Sequence, residues 1–372
     1  MSKNILIVGG GTGGHINPGI ALYEKFREED ILRPFFLTGK KDLRFASIAD
    51  IDQDTLFTYS APALTRNFLK FPFFVMKFIG SVLKTLRIIR KTNIEGLVGM
   101  GGYASAPALI AAKIKKIPVF LCEQNTVPGK VTIVFEKHCE VVFGTFKESV
   151  TYLKFKEKFI YCGNPIRNNV LLSVSKNEAK KVFNLGHCEK IILVIGGSQG
   201  ALKLNELVFG LKKQYPGDFK NIGIIWSTGD YSFEKYRERI QNEIEAGSIY
   251  LSPYIKKIGT AYNACDVALS RSGSGVMMEL AAAGVPSVLI PYPFAAMDHQ
   301  NKNADSFVKA GAAVKIMNED AVPEKVAPAL FDLLNSTKKL KLMSENARKV
   351  AMPDSADIIT SKINEILKSR SY

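Results

Sequence analysis

The sequence has few cysteines and lacks long apolar runs, the features that mark zinc-binding, disulfide-rich and membrane-spanning proteins. Its 372 residues include only five cysteines, four histidines and one tryptophan. No two of the scattered cysteines (Cys122, Cys139, Cys162, Cys188 and Cys265) form a C-x-x-C pair. This pattern argues against a zinc site and against a secreted disulfide framework. No stretch reaches 18 apolar residues, so we expect no membrane-spanning helix.

A secretory signal is also missing from the first ten residues, which become glycine-rich too early for an apolar signal core. Together with the scattered cysteines, this predicts a protein of the reducing cytoplasm. Apolar residues make up 47% of the chain and charged residues 23%, which excludes a disordered protein. The length exceeds what one hydrophobic core serves, so two domains are expected.

Acidic residues are absent from residues 60–91, although the segment carries seven of the positive charges behind the formal net charge of +15. Phenylalanines are interleaved with these charges, a mixture that suits the surface of an anionic bilayer. The residues predicted to touch a membrane are Arg66, Phe68, Lys70, Phe71, Phe73, Phe74 and Lys77. The alternative is a solvated helix whose phenylalanine side faces the core. Nucleic acid would fit the charge, but no motif for it is present.

Short apolar runs alternate with helical segments, which predicts parallel sheets covered by helices on both faces. The predicted strands are residues 4–8, 35–37, 96–98, 119–121, 141–143, 191–195, 222–226, 267–269 and 288–290. A strand followed by a glycine-rich turn occurs twice, each time at the start of a series of strands and helices. The sequence therefore predicts two Rossmann-like domains. Gly163-Asn164-Pro165, after a further short apolar strand, is the predicted joint, and Ser355 to Lys368 form a helix that packs back on the first domain.

The first glycine-rich turn contains G-x-G-x-x-G at Gly9, Gly11 and Gly14. Such a turn lets backbone N–H groups approach an anion at the start of a helix. A nicotinamide- or flavin-binding domain also needs an acid at the end of its second strand, and the sequence there is Leu37-Thr38-Gly39-Lys40, so an oxidoreductase is disfavoured. His15 follows the glycines and could take a proton from a hydroxyl, or simply cap the helix.

Three further segments carry polar residues after predicted strands. Gly196 to Ala201 includes Ser198 and is a second anion-tolerant turn. Arg271 to Gly275 opens a helix that carries Glu279, which could accept sugar hydroxyls or favour the helix dipole. In Asp298-His299-Gln300-Asn301 the amides could read sugar hydroxyls, or the aspartate could cap a helix. A D-x-D pattern at residues 50–54 lies in a polar loop, where a metal site is not expected.

Six motifs together resemble one family. They are Gly10 to His15, Gly99 to Tyr103, Glu123 to Asn125, Gly163 to Arg167, Gly196 to Ala201 and Ala281 to Pro286. The set is similar to the bacterial cell-wall N-acetylglucosaminyltransferases of glycosyltransferase family 28, the MurG family. The resemblance implies an α/β GT-B fold, in which two Rossmann-like domains with parallel sheets face each other across a cleft. The acceptor and membrane domain is residues 1–164 with about 354–372, and the donor domain is residues 165–353.

The implied reaction moves N-acetylglucosamine from UDP-GlcNAc to the C4 hydroxyl of lipid I, with inversion, and gives lipid II. Residue by residue, the resemblance makes His15 the base, with Glu123 as the alternative, and places Tyr103 beside the acceptor. The positions that match the donor site are Thr12, Gly13, Gly14, Asn125, Arg167, Ser198, Ile255, Ser274, Glu279 and Gln300. Glu279 matches the ribose contact, Ile255 the uracil contact and Gln300 the sugar contact. Cys122 and Val276 depart from the family pattern, which commonly has histidine and threonine there.

No tightly bound cofactor and no metal are expected, because UDP-GlcNAc is a substrate and helix starts can hold its diphosphate. The expected partners are UDP-GlcNAc, lipid I, an anionic inner-leaflet surface and other cell-wall synthesis proteins, but no nucleic acid. The implied location is the cytoplasmic face of the bacterial inner membrane, as a peripheral protein. The nearest rival is a UDP-GlcNAc 2-epimerase of the same architecture, and a non-catalytic sugar-nucleotide sensor is a more distant one.

Overall fold

The chain divides into two compact units in the computed structural model, which describes residues 2–45, 48–49, 51–60, 71–197 and 200–370. Unit 1 comprises Met1–Arg167 and Met352–Tyr372, and unit 2 comprises Asn168–Ala351. Arg167, in the joint expected from the sequence, therefore belongs to unit 1.

Unit 1 is built on a parallel sheet that has seven strands among the described residues, in the order β3-β2-β1-β4-β5-β6-β7. The strands are β1 (Lys3–Val8), β2 (Leu32–Gly39), β3 (Leu56–Tyr59), β4 (Gly96–Gly99), β5 (Val119–Glu123), β6 (Val141–Gly144) and β7 (Phe159–Tyr161). Side chains of β1 alternate between two cores, with Ile5 and Ile7 on one face and Leu6 and Val8 on the other. The continuous apolar run thus reflects burial on both faces, as predicted.

The helices of unit 1 cover both faces of this sheet. They are α1 (Gly13–Glu29), α2 (Phe71–Lys91), α3 (Gly102–Ile114), α4 (Lys130–Phe135) and α14 (Ser355–Ser369). α14 buries Ile359, Ile363 and Leu367 in the core beneath α1. Lys25 of α1 lies 2.5 Å from Asp357 of α14, and this carboxylate is the main cause of the raised pKa of Lys25. The predicted packing of the C-terminal helix on the first domain is confirmed.

Unit 2 repeats the plan with a parallel sheet in the order β10-β9-β8-β11-β12-β13, six strands within the part of the chain described. The strands are β8 (Lys190–Ile195), β9 (Ile222–Ser227), β10 (Ile249–Ser252), β11 (Val267–Ser270), β12 (Ser287–Leu289) and β13 (Ala313–Lys315). The helices are α5 (Lys176–Val182), α6 (Leu202–Gln214), α7 (Asp230–Arg239), α8 (Gln241–Glu245), α9 (Ile258–Ala264), α10 (Ser274–Ala283), α11 (His299–Lys309), α12 (Pro323–Leu334) and α13 (Thr337–Val350). The predicted pair of Rossmann-like domains is confirmed.

Strand order reverses once in each sheet. In unit 1 the chain runs outward from β1 through β2 to β3 and then returns to place β4 on the other side of β1. In unit 2 the same reversal separates β8 from β11. Open parallel sheets bind ligands beyond the carboxyl ends of the strands at such a reversal. The loops after β1 and β4, and after β8 and β11, are therefore where a site is expected.

Helix α2 exposes most of its apolar side chains. Phe71, Phe73 and Met76 are 51%, 64% and 67% exposed, whereas Phe74 is half-buried. The buried residues of the helix, Ser81, Thr85, Ile88 and Ile89, all lie in its second half. The alternative in which the phenylalanine side faces the core is wrong for Phe71 and Phe73. Over the ranges described, no helix is both long and apolar enough to cross a membrane.

Candidate functional site

The glycine-rich turn of unit 1 follows β1 and leads into α1. Gly11 has a φ of +86°, a conformation that favours glycine. A Cβ at Gly10 would lie 2.7 Å from Oδ2 of Asp42, so only glycine fits there. Thr12 occupies the N-cap position of α1, and Gly13 and Gly14 form its first turn. The turn thus lies at the start of a helix, as the sequence predicts.

His15 lies where the loops after β1 and β4 meet. Its Nδ1 is 3.1 Å from the Thr12 hydroxyl. A Cβ at Gly102 would lie 3.1 Å from both Cε1 and Nδ1 of the ring, and Gly102 has a φ of +70°. The two glycines that begin α3 thus leave the space in which the imidazole packs. The ring is half-buried at the strand-order reversal of unit 1.

Glu123 ends β5 and organises the loop that follows. Its carboxylate accepts the N–H of Asn125 at 3.0 Å, the N–H of Gly129 at 2.8 Å and the hydroxyl of Thr132 at 2.6 Å. Burial raises the pKa of Glu123, and these donors oppose that rise. The Glu123 carboxylate thus joins the end of β5 to the following loop and to the first turn of α4.

In the second glycine-rich turn, between β8 and α6, Gly200 is closely packed. Gly197 and Gly200 have φ values of +88° and +74°. A Cβ at Gly200 would lie 2.1 Å from the carbonyl oxygen of Thr228, which also accepts a bond from Asn205 at 2.9 Å. Ser198, the predicted phosphate contact in this turn, lies outside the described residues.

Gly200→Ala is expected to lower the free energy of unfolding by about 2 kcal/mol, because a left-handed φ disfavours a side chain and the new Cβ meets a backbone oxygen. Gly217→Ala is the matched control, since a Cβ at Gly217 meets nothing within 4 Å. Urea denaturation of both variants measures the difference. Equal stability of the two would show that the turn does not need glycine.

The loop after β11 leads into α10, which carries both Ser274 and Glu279. Ser274 is buried in the first turn of α10, after the N-cap residue Gly273. Oε2 of Glu279 accepts the phenolic hydroxyl of Tyr262 at 2.7 Å. Ile255, the predicted uracil position, is buried between β10 and α9. Ser274 therefore lies at the strand-order reversal of unit 2, where a diphosphate could meet a helix start.

Gln300 is held by its neighbours in α11 and the preceding loop. Its side-chain oxygen accepts the N–H of Tyr292 at 2.9 Å, and its carbonyl accepts the hydroxyl of Ser272 at 2.8 Å. Arg271 donates to the carbonyls of Ile290 and Pro291, both at 3.0 Å, and burial lowers its pKa. Arg271 is thus a structural support for the loop that positions Gln300.

The other predicted site residues have clear positions in unit 1. Asn125 is half-buried in the loop after β5, Arg167 is buried near the end of the unit, and Tyr103 is exposed in the first turn of α3. Arg66, Phe68 and Lys70 lie outside the described residues.

Asp52 of the D-x-D pattern lies 3.3 Å from Arg27. No group of three metal-ligating side chains occurs in the ranges described.

Two residues of these sites were missed from the sequence. Asp42 contacts the first glycine turn from beyond β2, and Tyr262 bonds Glu279 from another helix. For Asp42 a signal existed, because an acid three residues after a strand end lies within reach of the neighbouring turn. For Tyr262 no local pattern existed.

Comparison with curated proteins gives full-length relatives. A protein of Carboxydothermus hydrogenoformans is 32% identical over 372 residues, which cover 99% of this chain and 98% of the relative. A protein of Nostoc sp. is 34% identical over 366 residues, with 98% of each chain covered. Both carry the name UDP-N-acetylglucosamine--N-acetylmuramyl-(pentapeptide) pyrophosphoryl-undecaprenol N-acetylglucosamine transferase.

Comparison with solved structures gives the fold. MurG of Acinetobacter baumannii has a TM-score of 0.71 at 24% identity, with 99% of each chain covered. MnaA of S. aureus, solved with UDP, has the same TM-score at 16% identity, with 98% and 97% covered. The UDP-GlcNAc 2-epimerase of Neisseria meningitidis has a TM-score of 0.67 at 13% identity, with 97% and 100% covered. The fold is therefore shared with the rival class and does not separate the two.

Family models do separate them. The N-terminal domain model of glycosyltransferase family 28 matches residues 5–143, and the C-terminal domain model of the same family matches residues 191–359. The two matches cover most of both units and include both glycine-rich turns, His15, Ser274 and Glu279. The chain belongs to glycosyltransferase family 28, and it is a glycosyltransferase.

Proposed function

We propose that this chain transfers N-acetylglucosamine from UDP-GlcNAc to the C4 hydroxyl of undecaprenyl-diphospho-N-acetylmuramyl-pentapeptide, and so forms lipid II. The observation that carries the proposal is identity of 32–34% along the whole chain to relatives named for this transfer. The position of His15 against two glycine turns supports it, because the reaction needs a base beside the acceptor hydroxyl.

In the proposed reaction the acceptor oxygen bonds to the anomeric carbon of the donor as the bond from that carbon to the diphosphate oxygen breaks. Inversion follows from this single displacement. The hydroxyl proton passes to the imidazole of His15, whose Nδ1 shares a hydrogen bond with the Thr12 hydroxyl 3.1 Å away, a contact that orients the ring. UDP departs with the negative charge.

Unit 2 holds the donor in this proposal. The turns before α6 and α10, with Ser198 and Ser274, offer backbone N–H groups to the diphosphate, so neither a metal nor a cofactor is required. Glu279, held by Tyr262, accepts the ribose hydroxyls, the Ile255 backbone reads uracil, and Gln300 contacts the sugar. Thr12, Gly13, Gly14, Asn125 and Arg167 of unit 1 match donor-site positions of the family, and Tyr103 matches a position beside the acceptor.

We also propose that the protein is peripheral to the cytoplasmic face of the inner membrane, with α2 as its contact. Phe71 and Phe73 are exposed in the first turn of α2, exposed Lys77 follows one turn after Phe73, and Lys84, Arg87, Arg90 and Lys91 lie further along the helix. Aromatic side chains enter the acyl boundary while the basic residues meet anionic headgroups. This arrangement keeps the enzyme close to a lipid-linked acceptor.

Replacing Phe71 and Phe73 together by serine is expected to weaken binding to vesicles of phosphatidylglycerol and phosphatidylethanolamine about tenfold or more. The reason is that two aromatic rings that enter the bilayer in this proposal are lost. Co-sedimentation measures the partition coefficient. Phe294→Ser is the matched control, since Phe294 is 82% exposed in unit 2. Equal binding of the double variant and the control would contradict the assignment of α2.

The proposed function is tested by incubating the protein with radiolabelled UDP-GlcNAc and a short-chain lipid I analogue. Label in the lipid II product is expected. The structural likeness to UDP-GlcNAc 2-epimerases makes epimerisation the second candidate. Formation of N-acetylmannosamine and UDP without acceptor, with no labelled lipid, would replace the proposal by that alternative.

A further inference from the structure

Asp42 is a buried acid with no role in the reaction described so far. It lies in the short 3₁₀ helix Lys40–Arg44 after β2 and is only 5% exposed. Its Oδ2 accepts three bonds, from the N–H of Gly11 at 3.0 Å, the N–H of Gly39 at 3.1 Å and the hydroxyl of Thr38 at 3.2 Å. One carboxylate oxygen therefore ties the end of β2 to the centre of the glycine-rich turn.

The turn is shaped around this carboxylate. A Cβ at Gly10 would lie 2.7 Å from Oδ2, so the absence of a side chain there lets Asp42 approach. Gly11, whose N–H Asp42 accepts, has a left-handed φ of +86° and precedes Thr12 directly. Thr12 in turn contacts Nδ1 of His15. A short chain of contacts thus runs from Asp42 through Gly11 and Thr12 to the imidazole.

The charge of Asp42 also bears on what the turn can bind. In a glycine-rich turn at a helix start, the backbone N–H groups and the helix dipole together attract an anion. Here the N–H of Gly11 already donates to the internal carboxylate of Asp42, which occupies the place of an anion. A phosphate brought to the same N–H would meet this charge at close range and be repelled.

We propose that Asp42 is a positioning residue: its carboxylate sets the glycine-rich turn that presents Thr12 and His15, and fills the turn's central anion position. The inference rests on the proposed function. It follows that the donor diphosphate is held by the turns of unit 2, and that a change at Asp42 alters the rate of transfer rather than the affinity for UDP-GlcNAc.

The test compares Asp42→Ala, Asp42→Asn and Thr38→Val in the full-length protein. Because a misplacement of about 1 Å can cost about a hundredfold in rate, kcat is expected to fall about a hundredfold in Asp42→Ala. Asp42→Asn keeps one acceptor oxygen and is expected to recover about tenfold of that loss. The KM for UDP-GlcNAc should stay within about twofold in both. The amide ¹H–¹⁵N resonance of Gly11 should move in each variant.

Asp52→Asn is the matched control, because Asp52 is an exposed acid in the same stretch of chain and its carboxylate pairs with Arg27 on the surface. Thr38→Val removes one of the three donors to Asp42, and it tests the inference even if the Asp42 variants fold poorly. The kcat of Thr38→Val should fall a fewfold. Full kcat in Asp42→Asn and Thr38→Val, or a KM rising in parallel with the fall in kcat, would overturn the inference. Wild-type protein inactive on the lipid I analogue would instead overturn the proposed function.

Discussion

Replacing His15 by alanine is expected to lower kcat by about 10²–10⁴-fold, which is the usual contribution of a general base. The Kd for UDP-GlcNAc should change by no more than about twofold, because the proposed contacts to the uracil, ribose, diphosphate and sugar of the donor lie in unit 2. Steady-state kinetics with the lipid I analogue gives kcat, and calorimetric titration gives the Kd. Removal of the ring also opens space beside Gly101 and Gly102, so the melting temperature is measured alongside.

His187→Ala is the control for the loss of a histidine, since His187 is exposed in unit 2. Thr12→Val separates orientation of the imidazole from proton transfer, because it removes the hydroxyl at 3.1 Å from Nδ1 and leaves the ring. We expect an intermediate loss of kcat for Thr12→Val. A His15→Ala enzyme that turns over normally but no longer binds UDP-GlcNAc would contradict the role given to His15.

Glu123→Ala is expected to lower the free energy of unfolding by about 3–5 kcal/mol, since it leaves three donors of one loop unsatisfied inside the protein. The donors are the N–H groups of Asn125 and Gly129 and the hydroxyl of Thr132. Chemical denaturation monitored by circular dichroism measures the loss. A stability within about 1 kcal/mol of the wild type would show that the carboxylate does not organise the loop.

Glu123→Gln decides between the two candidate bases. Glutamine keeps the size and one acceptor oxygen of glutamate but cannot take up a proton at neutral pH. If Glu123 only positions its loop, this variant should keep kcat within about tenfold of the wild type while His15→Ala loses far more. A folded Glu123→Gln protein with the kcat of His15→Ala would move the base from His15 to Glu123.

The central strands of both sheets could be predicted from the sequence, whereas three edge strands could not. β1, β4, β5, β8 and β11 are buried on both faces and appear as continuous apolar runs. β3, β10 and β13 each lie at the edge of a sheet, and most of their residues are only partly buried. Half-buried edge strands need no continuous apolar run, so their sequences do not differ enough from loops.

In the candidate site, contiguous motifs could be predicted from the sequence, whereas contacts between distant residues could not. The glycine turns and His15 are contiguous motifs, and their positions at the strand-order reversals follow from the alternation of strands and helices. The bond from Asp42 to Gly11 joins residues 31 positions apart, and the bond from Tyr262 to Glu279 joins different helices. The acid that a nicotinamide-binding domain needs is expected among the last residues of β2, and Asp42 lies three residues beyond the end of that strand. The acid is present, but it binds the turn's own backbone.

The late position of α14 in the chain has a consequence for synthesis of the protein. Ile359, Ile363 and Leu367 belong to the core of unit 1, yet the ribosome adds them only after all of unit 2. During translation the apolar surface under α1 thus stays open while about half of the polypeptide is still being made, a period in which aggregation competes with folding. A premature stop before Ser355 would therefore damage the N-terminal half of the molecule more than the half in which the stop falls.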